Sequence, residues 1–310
     1  MAGPEMARAA LLKKAAGVVN DYVTLTKPPI IMLLLLTALG GMFLAAQGVP
    51  PLGLALLVCA GGALGAGGAN ALNHYWDRDI DLKMGRTRQR PVPAHRIAPA
   101  NALAFGILLN AAAFALLWAG VNLLAAALTL AATLFYVFVY TMWLKRSTPQ
   151  NIVIGGAAGS IPPMVGWVAV TGSLFNVGSI PAFYLFAIIF LWTPPHFWAL
   201  ALLIQKDYEQ AGVPMLPVVS SREYTATNIF VYSLVLVGAS LGFALTWVVG
   251  WIYLGAAIPL GAIFIAFAWR LTRPSPNKKW ARQARHVYLY SLLYLGLLFA
   301  AMMVDSVVAL

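Results

Sequence analysis

The chain reads as an all-α polytopic membrane protein with nine transmembrane helices, on three observations. Mean hydropathy is +0.82 over 310 residues, far above what a soluble domain of this size carries. The apolar residues, 61% of the chain against 9% charged, are gathered into long runs rather than alternating. Once nine spans are drawn, every Lys and Arg falls on the same side of the membrane.

The spans are expected at about 29–47, 51–73, 98–119, 121–143, 151–171, 179–204, 227–248, 250–270 and 286–309, each long enough for a hydrocarbon core about 30 Å thick. Residues 1–28 form a cytoplasmic N-terminal segment with Arg8, Lys13, Lys14 and Lys27. They contain no apolar stretch followed by a cleavage site, so the first span is itself the insertion signal. Residues 29–310 are a single transmembrane domain. Pro28-Pro29 starts span one. Span two carries Gly61, Gly62, Gly65, Gly67 and Gly68, a small-residue surface for close helix packing, and runs into Asn73-His74-Tyr75-Trp76-Asp77-Arg78-Asp79-Ile80-Asp81. A basic loop follows, from Lys83 through Arg86, Arg88 and Arg90 to Arg96. Lys145 and Arg146 follow span four. Pro162-Pro163 is expected to interrupt span five and Pro194-Pro195 span six, because their rings remove intrahelical donors. Lys206 and Arg222 follow span six, and six bases from Arg270 to Arg285 follow span eight.

By the positive-inside bias, the N-terminus is cytoplasmic and the C-terminus outside. The net charge of +11 is the ordinary consequence of membrane insertion, and a nucleic-acid partner is not expected. Cys59, the single cysteine, excludes an internal disulfide and a thiolate metal cluster. Acids close the second span (Asp77, Asp81) and the sixth (Asp207, Glu209), while bases close the fourth and the eighth (Arg270, Arg273). That echo predicts two parallel four-helix units plus a ninth helix, although positive-inside topology alone could impose it.

The densest chemistry is in the nine residues from Asn73 to Asp81, which hold three of the nine acids in the chain. Asn73, Asp77 and Asp81 recur every four positions and so share one helical stripe, with Asp79 pointing elsewhere. Two carboxylates one turn apart repel each other, and a bound divalent cation relieves that. Hard oxygen donors suit Mg²⁺, which completes its shell with water and phosphate oxygens. Carboxylates, a metal and then guanidinium groups form a grip for a diphosphate. The same residues could instead close up as a salt-bridged cytoplasmic loop. Asp207 offers a second acid at the same membrane level, and His196 lies eleven residues before it, near the same helical face and about 16 Å deeper if the helix stays regular. His196 reads equally as a ligand or as a core histidine serving a carbonyl freed by the prolines. Trp192, Phe197 and Trp198 could line a cavity there and stabilise a carbocation, or simply pack.

The Asn73, Asp77 and Asp81 stripe, followed by Arg86-Thr87 and then Arg90-Pro91, resembles the first aspartate motif of the UbiA superfamily of intramembrane prenyltransferases. Three further stretches, 144–156, 192–201 and 207–217, are similar to the branch of that superfamily that farnesylates heme, and the likeness runs from about Tyr22 to the last span. The resemblance implies transfer of a farnesyl group from farnesyl diphosphate to a vinyl group of heme b. It implies Mg²⁺ held by Asn73, Asp77, Asp81 and Asp207, diphosphate bound by Arg86, Arg90, Lys145 and Arg146, and heme faced by His196. It places the protein in the lipid bilayer of a bacterial plasma membrane, with heme A synthesis or cytochrome oxidase assembly proteins as partners. Two departures are visible. Asp207 stands nearly alone where the superfamily carries two or more aspartates, so a second metal held wholly by protein is not expected. Lys27-Pro28-Pro29 has proline where relatives often have arginine, so no substrate role is expected for the start of span one. A sister prenyltransferase acting on an aromatic acid or quinone precursor would share the metal site but not the 192–201 stretch. A secondary transporter fits poorly, because the outer side has no Lys or Arg and Asp305 is its only acid.

Overall fold

In a bilayer each backbone N–H and C=O must find its partner within its own segment, which for apolar runs of this length means helix. The computed structural model describes residues 4–308, with side chains from Leu12 onward. Among the described residues, nine helices are long and apolar enough to cross a membrane. Residues 1–3 and 309–310 of the expected segments lie outside the described residues.

In chain order, α1 (Pro4–Thr26) precedes the first span, and α2 (Pro28–Ala46) begins on the paired prolines after Lys27, whose φ is 54°. Then come α3 (Leu52–Trp76), the short α4 (Arg78–Lys83) and α5 (Pro99–Gly120). The next spans are α6 (Leu123–Ser147) and α7 (Asn151–Thr171). They are followed by α8 (Ile180–Leu203), the short α9 (Gln205–Gln210), α10 (Arg222–Gly242), α11 (Trp251–Leu271) and α12 (Asn277–Val308). Most boundaries fall within a few residues of expectation. The last span is the exception, starting at Asn277 and drawing the basic run into the helix. Residues Phe135–Leu144 of α6 wind as a π-helix, which periodicity does not reveal.

Successive spans pack as antiparallel neighbours, and α2 closes the bundle by touching both α7 and α12. That packing alone does not divide the bundle into two four-helix units. The α2–α7 crossing is tight because both helices offer glycine. A Cβ on Gly41 would collide with the carbonyl oxygen of Pro163, and one on Gly166 with that of Ala38. The glycine face of α3 behaves as expected: a Cβ at Gly68 would sit 2.8 Å from the Gly106 carbonyl oxygen of α5.

The two proline pairs differ. Span five is interrupted, with Asn151–Ser160 ending at Ile161 and a second helical segment starting at Pro162. Span six is not: helix continues through Pro194-Pro195 to Leu203, correcting the expected interruption. Proline fixes φ near the helical value, so two missing donors weaken the ladder without turning the chain. The helix ends instead at Ile204 (φ −120°, ψ 29°). The regular stripe expected to join His196 to Asp207 is therefore broken between them.

At the far end of the bundle, Asp305 near the end of α12 is 1% exposed. Its carboxylate accepts the N–H of Gly250, of Ile252 at 3.0 Å and of Tyr253 at 3.3 Å. These are the donors that the first turn of α11 leaves without intrahelical partners, so Asp305 is a helix cap supplied from a neighbouring helix.

Candidate active site at the α3–α4 joint

Asn73 sits in the last turn of α3, Asp77 at the joint (φ −87°, ψ 4°) and Asp81 in α4. Backbone N–H groups of Asp77 and Asp81 donate to the carbonyls four residues back, at 2.9 and 2.7 Å. The four-residue stripe therefore survives the joint, and its residues are 3%, 0% and 2% exposed. Asp79 points the other way, as the spacing requires, with its side chain 57% exposed.

Basic side chains from three places, the end of α6, the loop after α4 and the residue before α2, converge on this ridge. Lys145, at the end of α6, pairs with Asp77 Oδ2, which also accepts from Asn73 Nδ2 at 2.7 Å. Arg90 Nη1 donates to both oxygens of Asp81, at 3.0 and 2.9 Å. Lys27 Nζ donates to Asn73 Oδ1 at 2.8 Å. Arg146 makes its close pair with Asp79, at 2.7 and 2.8 Å, and stands 3.8 Å from Asp77 Oδ1. Its bond holds the Asp79 carboxyl down at about 2. Thr87, 1% exposed, donates to the Asp81 carbonyl at 3.0 Å and pins the basic loop against α4. Arg86 is exposed, with its guanidinium 5.9 Å from the Tyr208 ring centre.

Asp207, in the first turn of α9, comes to the same mouth. A Cβ on Gly85 would lie 3.6 Å from Asp207 Oδ1. Tyr208, packed with Ile80 and Met84, ties α9 to α4. The two acidic stretches, about 130 residues apart in sequence, therefore face one loop.

The start of span one, whose substrate role the sequence left in doubt, contributes Lys27 to this ridge. Lys27 is the residue that sequence reasoning missed, since its ammonium meets Asn73 only when α2 packs on α3. Burial, and then the Arg90 charge, push Lys27 down to about 7 against the pull of Asp77 and Asp81. His74 was also passed over. It is 1% exposed, and neither ring nitrogen has a hydrogen-bond partner.

Among the described residues no three acid, His or Cys side chains converge as a cage able to hold a metal alone. The donor set nevertheless fits a hard cation that shares its ligands with a substrate. Asp77 Oδ1 is buried with no hydrogen bond and with Arg146 no closer than 3.8 Å, a state that a closer cation would relieve. Mg²⁺ is commonly held by one or two carboxylates plus phosphate oxygens.

His196 lies apart from this ridge, 7% exposed on α8. Its ring stacks on Trp192 at 4.3 Å and on Tyr288 at 5.0 Å. Nδ1 is 2.7 Å from Ser291 Oγ, and that hydroxyl donates to the Tyr288 carbonyl at 2.6 Å. With the serine proton on the Tyr288 carbonyl, Nδ1–H is the donor to Oγ and the lone pair stays on Nε2. Trp192 Nε1 donates to the Ser291 carbonyl at 2.7 Å, so the same serine anchors both rings. Trp198 instead turns into the core, 2% exposed and edge-on to Tyr232, which is the packing alternative for that aromatic.

The model of the UbiA prenyltransferase family matches residues 34–303. The chain is 52% identical to protoheme IX farnesyltransferase of Symbiobacterium thermophilum over 94% of this chain and 96% of that one. It is also 52% identical to the enzyme of that name from Gloeobacter violaceus, over 95% and 94%. A Roseiflexus relative of the same name is 48% identical over 99% of this chain, which spans only 56% of that longer protein. Among solved structures, digeranylgeranylglyceryl phosphate synthase superposes with a TM-score of 0.74 at 17% identity, covering 94% of this chain and 99% of that one. A UbiA homolog from Archaeoglobus fulgidus bound to GPP and Mg²⁺ gives 0.63 at 18% identity, covering 91% and 99%. At such identities the structural likeness establishes the fold.

Proposed function

The chain belongs to the UbiA prenyltransferase family, and on that premise we propose that it transfers a farnesyl group from farnesyl diphosphate to a vinyl group of heme b, producing heme O. The observation that carries this reading is the end-to-end similarity, at half identity, to relatives named for that reaction.

In the proposed reaction the C–O bond between farnesyl and diphosphate breaks, and the diphosphate departs with the electron pair. The vinyl group attacks the allylic cation, and water captures the cation left beside the porphyrin, losing a proton to give the hydroxyethylfarnesyl chain. Asn73, Asp77, Asp81 and Asp207 are the residues that would hold Mg²⁺, which would supply charge neutralisation on the departing diphosphate. The chain's own cations add to it. Lys145 and Arg90 stand ready on Asp77 and Asp81, and Arg146 is within 3.8 Å of Asp77. Arg86 has no carboxylate in ion-pair range among the described residues and is available to swing onto a phosphate. Apolar helices around the ridge keep bulk water from the cation.

His196 serves the acceptor in this proposal. A histidine that donates through Nδ1 and keeps Nε2 free is in the state in which imidazoles bind iron. His196→Ala is expected to weaken heme binding, read as the Soret change on titration, and Ser291→Ala, which frees the ring to turn, to weaken it less. Unchanged heme affinity and turnover in His196→Ala would remove this role.

The positive-inside bias supports a cytoplasmic N-terminus and active-site mouth in a bacterial plasma membrane, with the C-terminus outside. Contact with proteins of heme A synthesis or cytochrome oxidase assembly belongs to the same proposal. The direct test incubates purified protein with labelled farnesyl diphosphate, Mg²⁺ and heme b and identifies the labelled product by mass. Label on heme is expected. Label carried only on an aromatic or quinone precursor, when that is offered instead, would overturn the acceptor assignment.

A further inference from the structure

The prenyl-transfer site uses none of the bases that follow α11, yet these converge. Arg270 and Arg273 at the end of α11 and Lys279 and Arg282 at the start of α12 line a crevice of about 640 Å³, together with Phe267 and His286. A second crevice of about 380 Å³ shares Phe267, Arg270 and His286 and continues along Leu289, Tyr290 and Leu293. Lys279, Arg282, His286, Leu289 and Leu293 recur every three or four residues, so they form one stripe of α12, about 21 Å long at 1.5 Å per residue. Cations occupy its end nearest the loop and leucines its membrane end. Leu289 and Leu293 are 47% and 52% exposed, so this stripe faces outward, whereas Tyr288 and Ser291 face His196 on the inner side.

Positive-inside insertion explains why bases are present here but not why four of them ring a hollow that opens into an apolar groove. No acid occurs between Glu223 and Asp305, and none of the four cations has an ion-pair partner among the described residues. The complement is an anion joined to a hydrocarbon chain. Guanidinium forks match phosphate oxygens, and the length of the stripe spans a headgroup and the upper part of one leaflet.

We propose that the α11–α12 crevice binds an anionic phospholipid, with the phosphate among Arg270, Arg273, Lys279 and Arg282 and an acyl chain along Leu289, Tyr290 and Leu293.

The test uses the full chain, delipidated in neutral detergent, with bound lipid counted by native mass spectrometry during titration with phosphatidylglycerol, phosphatidylcholine or inorganic phosphate. Saturable retention of phosphatidylglycerol, far above that of phosphatidylcholine, is expected. The double variant Arg270→Gln, Arg282→Gln should weaken it by roughly thirty-fold. The variant Lys278→Gln, Arg285→Gln removes the same charge from positions off the crevice and should change it little. Equal losses in both variants would reduce the crevice to a diffuse basic face. Equal retention of the two lipids, or competition by phosphate as effective as by phosphatidylglycerol, would also overturn the proposal. Displacement of the lipid by heme at equal concentration would reassign the crevice to the porphyrin. Matching thermal unfolding of the two double variants establishes that the comparison is between folded proteins.

Discussion

Asp77→Asn and Asp81→Asn are each expected to lower kcat/KM by roughly 10²- to 10³-fold, about 3–4 kcal/mol of transition-state stabilisation. Each substitution removes an anion at a point where the proposed Mg²⁺ needs one. The two variants should differ in how they fail. Asp81→Asn leaves Arg90 at a partly exposed position, 24% by side chain, where water can solvate it. Asp77→Asn strands Lys145, 13% exposed, beside a neutral amide in a fully buried setting, so it should also lose stability. Thermal unfolding alongside steady-state kinetics separates these effects, and titrating Mg²⁺ shows whether the loss is recovered at high metal. Asp79→Asn serves as the control. It breaks only an exposed pair with Arg146, worth at most about 1 kcal/mol, and should leave turnover within a few-fold of the parent. Mg²⁺-dependent activity retained in both buried variants would contradict the assigned role of the ridge.

The membrane architecture was legible because bilayer insertion is written into composition: runs of about twenty apolar residues and one-sided Lys and Arg mark spans without any knowledge of packing. The Asn73–Asp77–Asp81 ridge was legible for a similarly local reason, since a four-residue period needs only helical geometry, and it survives because the joint at Asp77 keeps the i to i−4 hydrogen bonds. What was not legible depends on contacts between distant segments. Lys27 becomes part of the site only when α2 lies on α3. The ion pairs of Asp77 and Asp81 match the salt-bridged alternative as well as the metal reading, and only the missing hydrogen bond at Asp77 Oδ1, which has no cation closer than Arg146 at 3.8 Å, leaves room for a further cation. The continuity of α8 through Pro194-Pro195 also escaped local rules, because the cost of missing donors is set by what packs around the helix. His74 had no signal beyond its place next to Asn73.

The opposite end of the molecule supplies the other large expected effect. Asp305→Ala should lower stability by about 2–4 kcal/mol, because it leaves the buried N–H of Tyr253 and the part-buried N–H groups of Gly250 and Ile252 without their acceptor and removes a negative charge from a helix N-terminus. Asp305→Asn keeps one acceptor oxygen but turns an amide donor toward backbone donors, so it should fall between the parent and the alanine variant. The anchor matters beyond α11 itself. Tyr253 donates through its hydroxyl to the Ser240 carbonyl at 2.8 Å, and Tyr294 of α12 donates to Ser240 Oγ at 2.8 Å. The cap therefore holds one corner of a network joining α10, α11 and α12. Thermal unfolding in detergent should rank the three proteins in that order, while prenyl transfer per folded molecule stays at the parental level, since the candidate active site lies at the other end of the bundle. An alanine variant with the parental midpoint would show that water or a shifted backbone satisfies these donors and that Asp305 is not the cap. A loss of turnover without any loss of stability would instead couple this corner to the chemistry.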